Sequence, residues 1–133
     1  MHNFSIGALG ESFACEYLLQ HNYNILGTNC RIRNNEIDII ALDQKNNEIV
    51  FVEVKVRKNS NFGNPEIAVK NKKIQSMNFV AREYIKSNHC NLDYRFDIIA
   101  ITYLGAESDV QKIRTQNQHP RPQIEHFENV TWP

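Results

Sequence analysis

The sequence predicts an α/β domain with a mixed central β-sheet flanked by helices, in the order helix, three antiparallel strands, helix, strand. Three observations predict it. First, Asn35–Ala41 and Ile49–Lys55 are rich in Ile, Val and Phe with charges at alternate positions, and a polar, turn-forming Asp43–Glu48 joins them. Second, apolar residues recur at helical spacing near the N-terminus and again between Pro65 and Lys86. Third, that second helix stands between two strands, which is the crossover that parallel strands require.

The first helix is expected to run from a capping Ser5 to about His21, with Ile6, Leu9, Phe13, Ala14, Tyr17 and Leu18 as its apolar stripe. Gly7 and Gly10 lower helix propensity there and point to close packing against another element. Tyr23 to Arg33 reads as the first strand, with Ile25, Leu26, Cys30 and Ile32 available to the core, and Asn34-Asn35 as a tight turn. In the third strand Val50, Val52, Val54 and Val56 share one face, and Phe51, Glu53, Lys55 and Arg57 the other. Lys58 to Asn64 is a polar loop. Pro65 suits the first turn of the second helix, whose apolar positions are Ala68, Val69, Ile74, Met77, Phe79, Val80, Ala81, Tyr84 and Ile85. Tyr94 to Tyr103 is a fourth strand, and its Ile98-Ile99-Ala100-Ile101 run suggests burial on both faces. The core spans about 5–103, a long polar loop fills 104–123, and 124–132 adds a final edge strand.

The chemistry concentrates in the second and third strands. Closing their hairpin by pairing Asp43 with Glu48 sets Asp38 opposite Glu53 and Glu36 opposite Lys55. Opposed residues have Cβ atoms roughly 4.5–5.5 Å apart, and like charges there are destabilising. A sheet gains nothing by pairing two carboxylates, whereas a divalent cation between them turns repulsion into a ligand set. Two carboxylates without nearby Cys or His suit a hard cation, Mg²⁺ or Mn²⁺, which also takes substrate phosphate oxygens. Lys55 sets an ammonium beside it, able to orient a water or to stabilise charge developing on a phosphate. The set suits hydrolysis of a phosphodiester.

Ile37-Asp38 followed by Glu53-Val54-Lys55 resembles the D…(D/E)-x-K signature of restriction-endonuclease-like nucleases. The wider pattern is Gly7-x-x-Gly10-Glu11-x-x-Ala14, Tyr17-Leu18, Glu36-Ile37-Asp38, Phe51-Val52-Glu53-Val54-Lys55-x-Arg57, Phe62-Gly63-x-Pro65-Glu66-x-Ala68-Val69, Lys73 and Arg95-Phe96-Asp97-Ile98-x-Ala100. Together these resemble the YraN-like family of small bacterial proteins, predicted endonucleases similar in fold to archaeal Holliday-junction resolvases. The match runs from about Gly7 to Ile101, with an echo at Ile124-Glu125-His126. Asn35 stands where the family usually has Gly, and Asn tolerates the same turn conformations. Ile67 replaces a second Glu and touches no expected ligand. The resemblance implies a restriction-endonuclease-like αβββαβ core. It further implies that Asp38 and Glu53 hold the metal with a carbonyl of Val54, that Glu11 and Glu36 tune the site or hold a second metal, and that Lys73 meets a phosphate. Resolvase-like relatives work as dimers, which leaves a homodimer open.

The bulk numbers agree with such a protein. A chain of 133 residues, 41% hydrophobic, can bury one ordinary core. No apolar run approaches the ~20 residues of a membrane span, and the first residues lack the pattern of a secretory signal. Cys15, Cys30 and Cys90 are odd in number and widely spaced, so they read as reduced thiols of a cytoplasmic protein. The formal net charge is zero, but eight basic residues and only two acidic ones lie between Lys55 and Lys86. Arg57, Lys58, Lys70, Lys72 and Lys73 are the expected contacts to nucleic-acid phosphates. His119 and His126 lack partners at metal spacing and read as a loop residue and a satisfied strand residue. The expected activity is metal-dependent hydrolysis of DNA, on branched or damaged substrates. The alternative is a catalytically silent nucleic-acid-binding module of the same fold.

Overall fold

The structure, a computed structural model, describes residues 6–57, 71–103 and 122–130. It contains α1 (Ile6–Gln20), β1 (Tyr23–Ile32), β2 (Asn35–Asp43), β3 (Glu48–Arg57), α2 (Asn71–Ser87), β4 (Tyr94–Thr102) and β5 (Gln123–Phe127). This is the expected α/β order with a mixed five-stranded sheet, β1-β2-β3-β4-β5. The first three strands are antiparallel, β3 and β4 are parallel, and β5 pairs antiparallel with β4. Ser5, Lys58, Pro65, Ala68, Val69, Lys70, His119, Trp132 and most of the polar 104–123 loop lie outside the described residues.

The two helices cover opposite faces. Phe13, Ala14 and Leu18 of α1 pack on Ile39, Ala41, Val50, Val52, Ile99 and Ile101. Met77, Val80 and Ala81 of α2 pack on Ile37, Ile40, Ile49 and Phe51. Val54 and Val56 join the first cluster, as the alternation in β3 requires. Ile98 to Ile101 are wholly buried, because β4 has a neighbour on each side and a helix over each face. Gly10 meets β3 closely: a Cβ there would lie 2.5 Å from Val56 Cγ2. The glycine lets α1 approach the sheet to a depth that any side chain would prevent.

Two expectations in β1 need correction. Leu26 is exposed rather than part of the core. The register with β2 shifts by one residue between Ile25 and Gly27, and such a bulge moves the extra residue out of the alternation. The β1–β2 turn is Arg33-Asn34 rather than Asn34-Asn35, with Ile32 paired to Asn35 and Arg33 in the left-handed region at φ 58°. In α2, Phe79 belongs to neither buried cluster that the helix joins.

The β2–β3 hairpin closes as predicted, with Asp43 opposite Glu48. Asp43 builds the turn: its carboxylate accepts from the amides of Lys45 (3.0 Å) and Asn46 (3.2 Å), and its carbonyl accepts from the Asn47 amide (2.7 Å). Asp43 also anchors a buried network that the sequence did not reveal. The Arg95 guanidinium donates to Asp43 (2.7 Å), Glu48 (3.0 Å), both oxygens of Asp97 (3.0 and 3.2 Å), Glu128 (3.2 Å) and Tyr23 Oη (2.9 Å). His126 Nε2 lies 2.7 Å from Asp97 and its Nδ1 lies 3.2 Å from Tyr17 Oη, so it is the satisfied strand histidine expected. Burial pushes the Asp97 carboxyl up, but hydrogen bonds from His126, Arg95 and the Asn129 amide outweigh this and hold it below the usual carboxylate value. Asp43 is likewise held low, with burial opposed chiefly by Arg95 and Asn46.

Arg95→Met should strand these acids. Removing one partner of a buried ion network costs about 3–5 kcal/mol, measured by urea denaturation near neutral pH. In the wild type, the stability contributed by Asp43 and Asp97 is present above the ordinary carboxylate value and lost as pH falls through their lowered ones. The variant's deficit should therefore shrink on acidification, as protonation neutralises the stranded carboxylates.

Candidate active site

The β2–β3 ladder begins at Asp43↔Glu48 and ends at Ile39↔Val52, one residue short of the Asp38–Glu53 pair. Beyond that point the strands part. β2 follows β1 to Asn35↔Ile32, and β3 follows β4 to Arg57↔Thr102. The sheet is therefore forked. Alternation in β2 also breaks here, since Ile37 packs with the α2 cluster and Ile39 with the α1 cluster. Asp38, between them, uses its side chain where the ladder would have used backbone: its Oδ2 accepts from the Val54 amide at 2.8 Å. On the β2 side, the Glu36 amide donates to Ser76 Oγ (3.3 Å) and the Glu36 carbonyl accepts from Lys73 Nζ (3.3 Å). Side chains of α2 thus satisfy backbone groups that β3 has left.

One expected pair does not form at the fork. Glu36 does not face Lys55; it lies opposite Arg31 on β1, with Arg31 Nη2 3.8 Å from Glu36 Oε2. The hairpin register holds, but it stops before reaching Glu36 because β2 has turned away.

The fork gathers charge from four elements. Glu53 is 6% exposed, and its Oε1 is buried without a hydrogen-bond partner. Lys73 Nζ stands 3.5 Å from Oε1 and Lys55 Nζ 3.9 Å from Oε2. Burial, then the hydrogen bond and charge of Asp38, push Glu53 up to about 8, against the pull of Lys73 and Lys55. The Asp38 carboxylate thus lies within hydrogen-bonding reach of Glu53. Glu11 reaches the same place from α1. Burial and then the charge of Asp38 raise its carboxyl, while a hydrogen bond with Asn29 works the other way. Glu11 also lines an open cleft of about 590 Å³ between α1 and β1, with Ser12, Cys15, Thr28 and Asn29.

Not every expected contact joins this group. Arg57 turns toward the β4–β5 edge, where Nε donates to Thr102 Oγ1 (2.8 Å) and Nη2 pairs with Glu125 (2.7 Å). Lys72 is exposed on α2, next in sequence to Lys73. Lys58 and Lys70 lie outside the described residues.

The donor set fits a hard divalent cation. It offers the carboxylate oxygens of Asp38 and Glu53, one of them buried without a hydrogen-bond partner, in a place where the acids repel each other. Among the described residues, the one group of three potential ligands whose atoms lie within 4.8 Å of one another is elsewhere, at Asp97, His126 and Glu128. There Asp97 is already bonded to Arg95, His126 and the Asn129 amide, which leaves no unmet need for an ion.

A family profile described as uncharacterised protein family UPF0102 matches residues 10–101, a stretch that includes Glu11, Asp38, Glu53, Lys55 and Lys73. The chain belongs to UPF0102. This is the YraN-like family that the motifs resemble. A UPF0102 protein of Geobacter metallireducens is 40% identical over 131 residues, covering 98% of this chain and 94% of its own. UPF0102 protein FP2501 of Flavobacterium psychrophilum is 46% identical over 100 residues, covering 75% of this chain and 82% of its own. Among solved structures, a repair endonuclease from Pyrococcus abyssi aligns with all of this UPF0102 chain at a TM-score of 0.45 and 14% identity. An EndoMS–dsDNA2 complex aligns with 92% of it at 0.41 and 14%. The chain spans about half the length of those two, covering 50% and 49% of them.

Because Glu53 is raised in the fold, its ionisation opposes folding of the metal-free protein. The penalty is absent below its ordinary 4.5, grows as pH rises, and is complete above about 8. Glu53→Gln removes it. Thermal denaturation in EDTA should show no gain in Tm near pH 4.5 and a gain that increases up to about pH 8.

Proposed function

We propose that this UPF0102 protein is a divalent-metal-dependent endonuclease that hydrolyses DNA phosphodiester bonds, with branched or damaged DNA as the substrate class. The observation that carries this reading is the Asp38–Glu53 pair at the fork, with a buried, unbonded Glu53 oxygen and two ammonium groups beside it. Sheets do not accumulate such repulsion for stability, and perturbed carboxylates of this kind mark functional sites.

Asp38 and Glu53 would hold Mg²⁺ or Mn²⁺. When bound, the ion supplies positive charge for a phosphate oxygen and makes a bound water more acidic. The remaining work falls to the chain. The bond from the Val54 amide fixes Asp38 in place, so its carboxylate is aimed without the freedom of a surface side chain. Lys55, one-third exposed, stands at the solvent side of Glu53, where it can orient a water or steady developing charge. Lys73, held against Glu53 and the Glu36 carbonyl, is placed for a phosphate oxygen. Glu11, from α1, and Glu36, from the far side of the fork, would add negative charge around that ion, as their mutual repulsion already suggests. Among the described residues no helix is long and apolar enough to cross a membrane. Cys15, Cys30 and Cys90 are free thiols, as a cytoplasmic protein would keep them.

Purified protein incubated with branched, nicked and single-stranded DNA should cleave in Mg²⁺ or Mn²⁺ and not in EDTA. Asp38→Asn and Glu53→Gln should abolish cleavage, and Lys55→Met should slow it by about 10²–10³-fold. Binding of the same DNA, followed by fluorescence anisotropy in EDTA, should persist in all three. Binding without metal-dependent cleavage in the wild type would instead assign a silent binding module. Equal background cleavage by wild type and variants would remove the catalytic reading.

Metal binding has its own readout. Mn²⁺ at a hundred times its Kd should stabilise the wild type by about 2.7 kcal/mol in thermal or urea denaturation. Asp38→Asn should show no such gain.

A further inference from the structure

Along α2, Lys72, Gln75, Phe79, Arg82 and Lys86 are spaced by three, four, three and four residues, so they form one continuous face of the helix. All are exposed except Phe79, which is half-buried. The helix as a whole carries four cations against one acid, Glu83. An apolar residue in the middle of a polar stripe needs an explanation. Arg33 provides it: its guanidinium lies 5.8 Å from the centre of the Phe79 ring. Arg33 sits at the β1–β2 turn in the left-handed region, with its side chain over α2. A residue distant in sequence therefore completes the stripe at its centre.

The stripe has a defined origin. Lys73, beside Lys72, has its ammonium 3.5 Å from Glu53 Oε1, so the first cation of the stripe adjoins the fork. From Lys72 to Lys86 the helix rises about 21 Å. Over that length one DNA strand carries about six phosphates at ~3.4 Å of axis each. Lys72, Arg33, Arg82 and Lys86 are thus distributed along a line that begins at the site and leads away from it.

We infer that this face, with Arg33 stacked on Phe79 as its central cation, tracks the phosphate backbone of the duplex on one side of the scissile bond. The inference rests on the reading of the fork as a DNA-cleaving site. It gives α2 two tasks, the Lys73 end serving the site and the outer face holding the flank. The recognised chemistry is the regularly spaced anionic backbone, not base edges, because the stripe presents ammonium and guanidinium groups over a distance no base step could fill.

The test is binding and cleavage by the full chain on duplexes of about 20 base pairs whose flank on one side of the cut is shortened stepwise. Anisotropy in EDTA gives the salt dependence. The triple variant Arg33→Gln/Arg82→Gln/Lys86→Gln should bind with a log K against log [salt] slope shallower by about 3 than the wild type. The difference between the two proteins should vanish once the flank is too short to reach the stripe. Arg33→Gln and Phe79→Leu should be non-additive, since both remove one stacked cation. Wild-type slope in the triple variant, or an equal loss at every flank length, overturns the inference while leaving cleavage at the fork intact. Absence of DNA binding by the wild type overturns this inference and the nuclease reading together.

Discussion

The separation of β2 from β3 at Asp38 is the constraint on which the site depends. A hairpin that continued its ladder would bury Asp38 and Glu53 as an ordinary cross-strand pair and use the Val54 amide for backbone bonding. The ladder instead stops at Ile39↔Val52, and the Asp38 carboxylate takes the amide that β2's backbone has abandoned. On the other side, Ser76 and Lys73 take the amide and carbonyl of Glu36. The fork is supported because the Val54 amide and the amide and carbonyl of Glu36 have found side-chain partners. Its cost is confined to the carboxylates, where Glu53 is buried with one oxygen unbonded.

The two ends of the hairpin use charge in opposite ways. At the closed end, four carboxylates and a tyrosine surround Arg95, and the acids of Asp43 and Asp97 are held ionised. At the forked end, burial and then the Asp38 carboxylate push Glu53 toward its neutral form, and the lysines at 3.5 and 3.9 Å offset this only in part. The closed end sets the register, since Asp43 both makes the turn and anchors Arg95. The register in turn brings Asp38 to Glu53. A satisfied network at one end thus holds an unsatisfied one in place at the other, the usual division between scaffold and site.

Each helix contributes to the fork as well as to the core. The close approach of α1, which Gly10 permits, lets Glu11 come within electrostatic reach of Asp38. The packing of Met77, Val80 and Ala81 fixes α2 so that its first two described turns deliver Lys73 and Ser76. The outer face of α2 is left to carry Lys72, Arg82 and Lys86.

Much of this was legible in the residues themselves. Alternation, turn composition and helical spacing determined the element order and the Asp43↔Glu48 register, because each depends on neighbours within a few positions. The charge pattern singled out Asp38, Glu53 and Lys55, since like charges in facing positions conflict with sheet pairing wherever the hairpin closes. Only the tertiary structure decided that the ladder ends at Ile39, that Glu36 faces Arg31, that Arg57 serves the β4–β5 edge, and that Arg95 gathers four acids. It also decided the bulge at Leu26 and the seating of Arg33 on Phe79. These rest on contacts between residues far apart in the chain, such as Ser76 with Glu36 and Glu125 with Arg57. A linear pattern specifies which face a side chain occupies, but not which distant partner will meet it there.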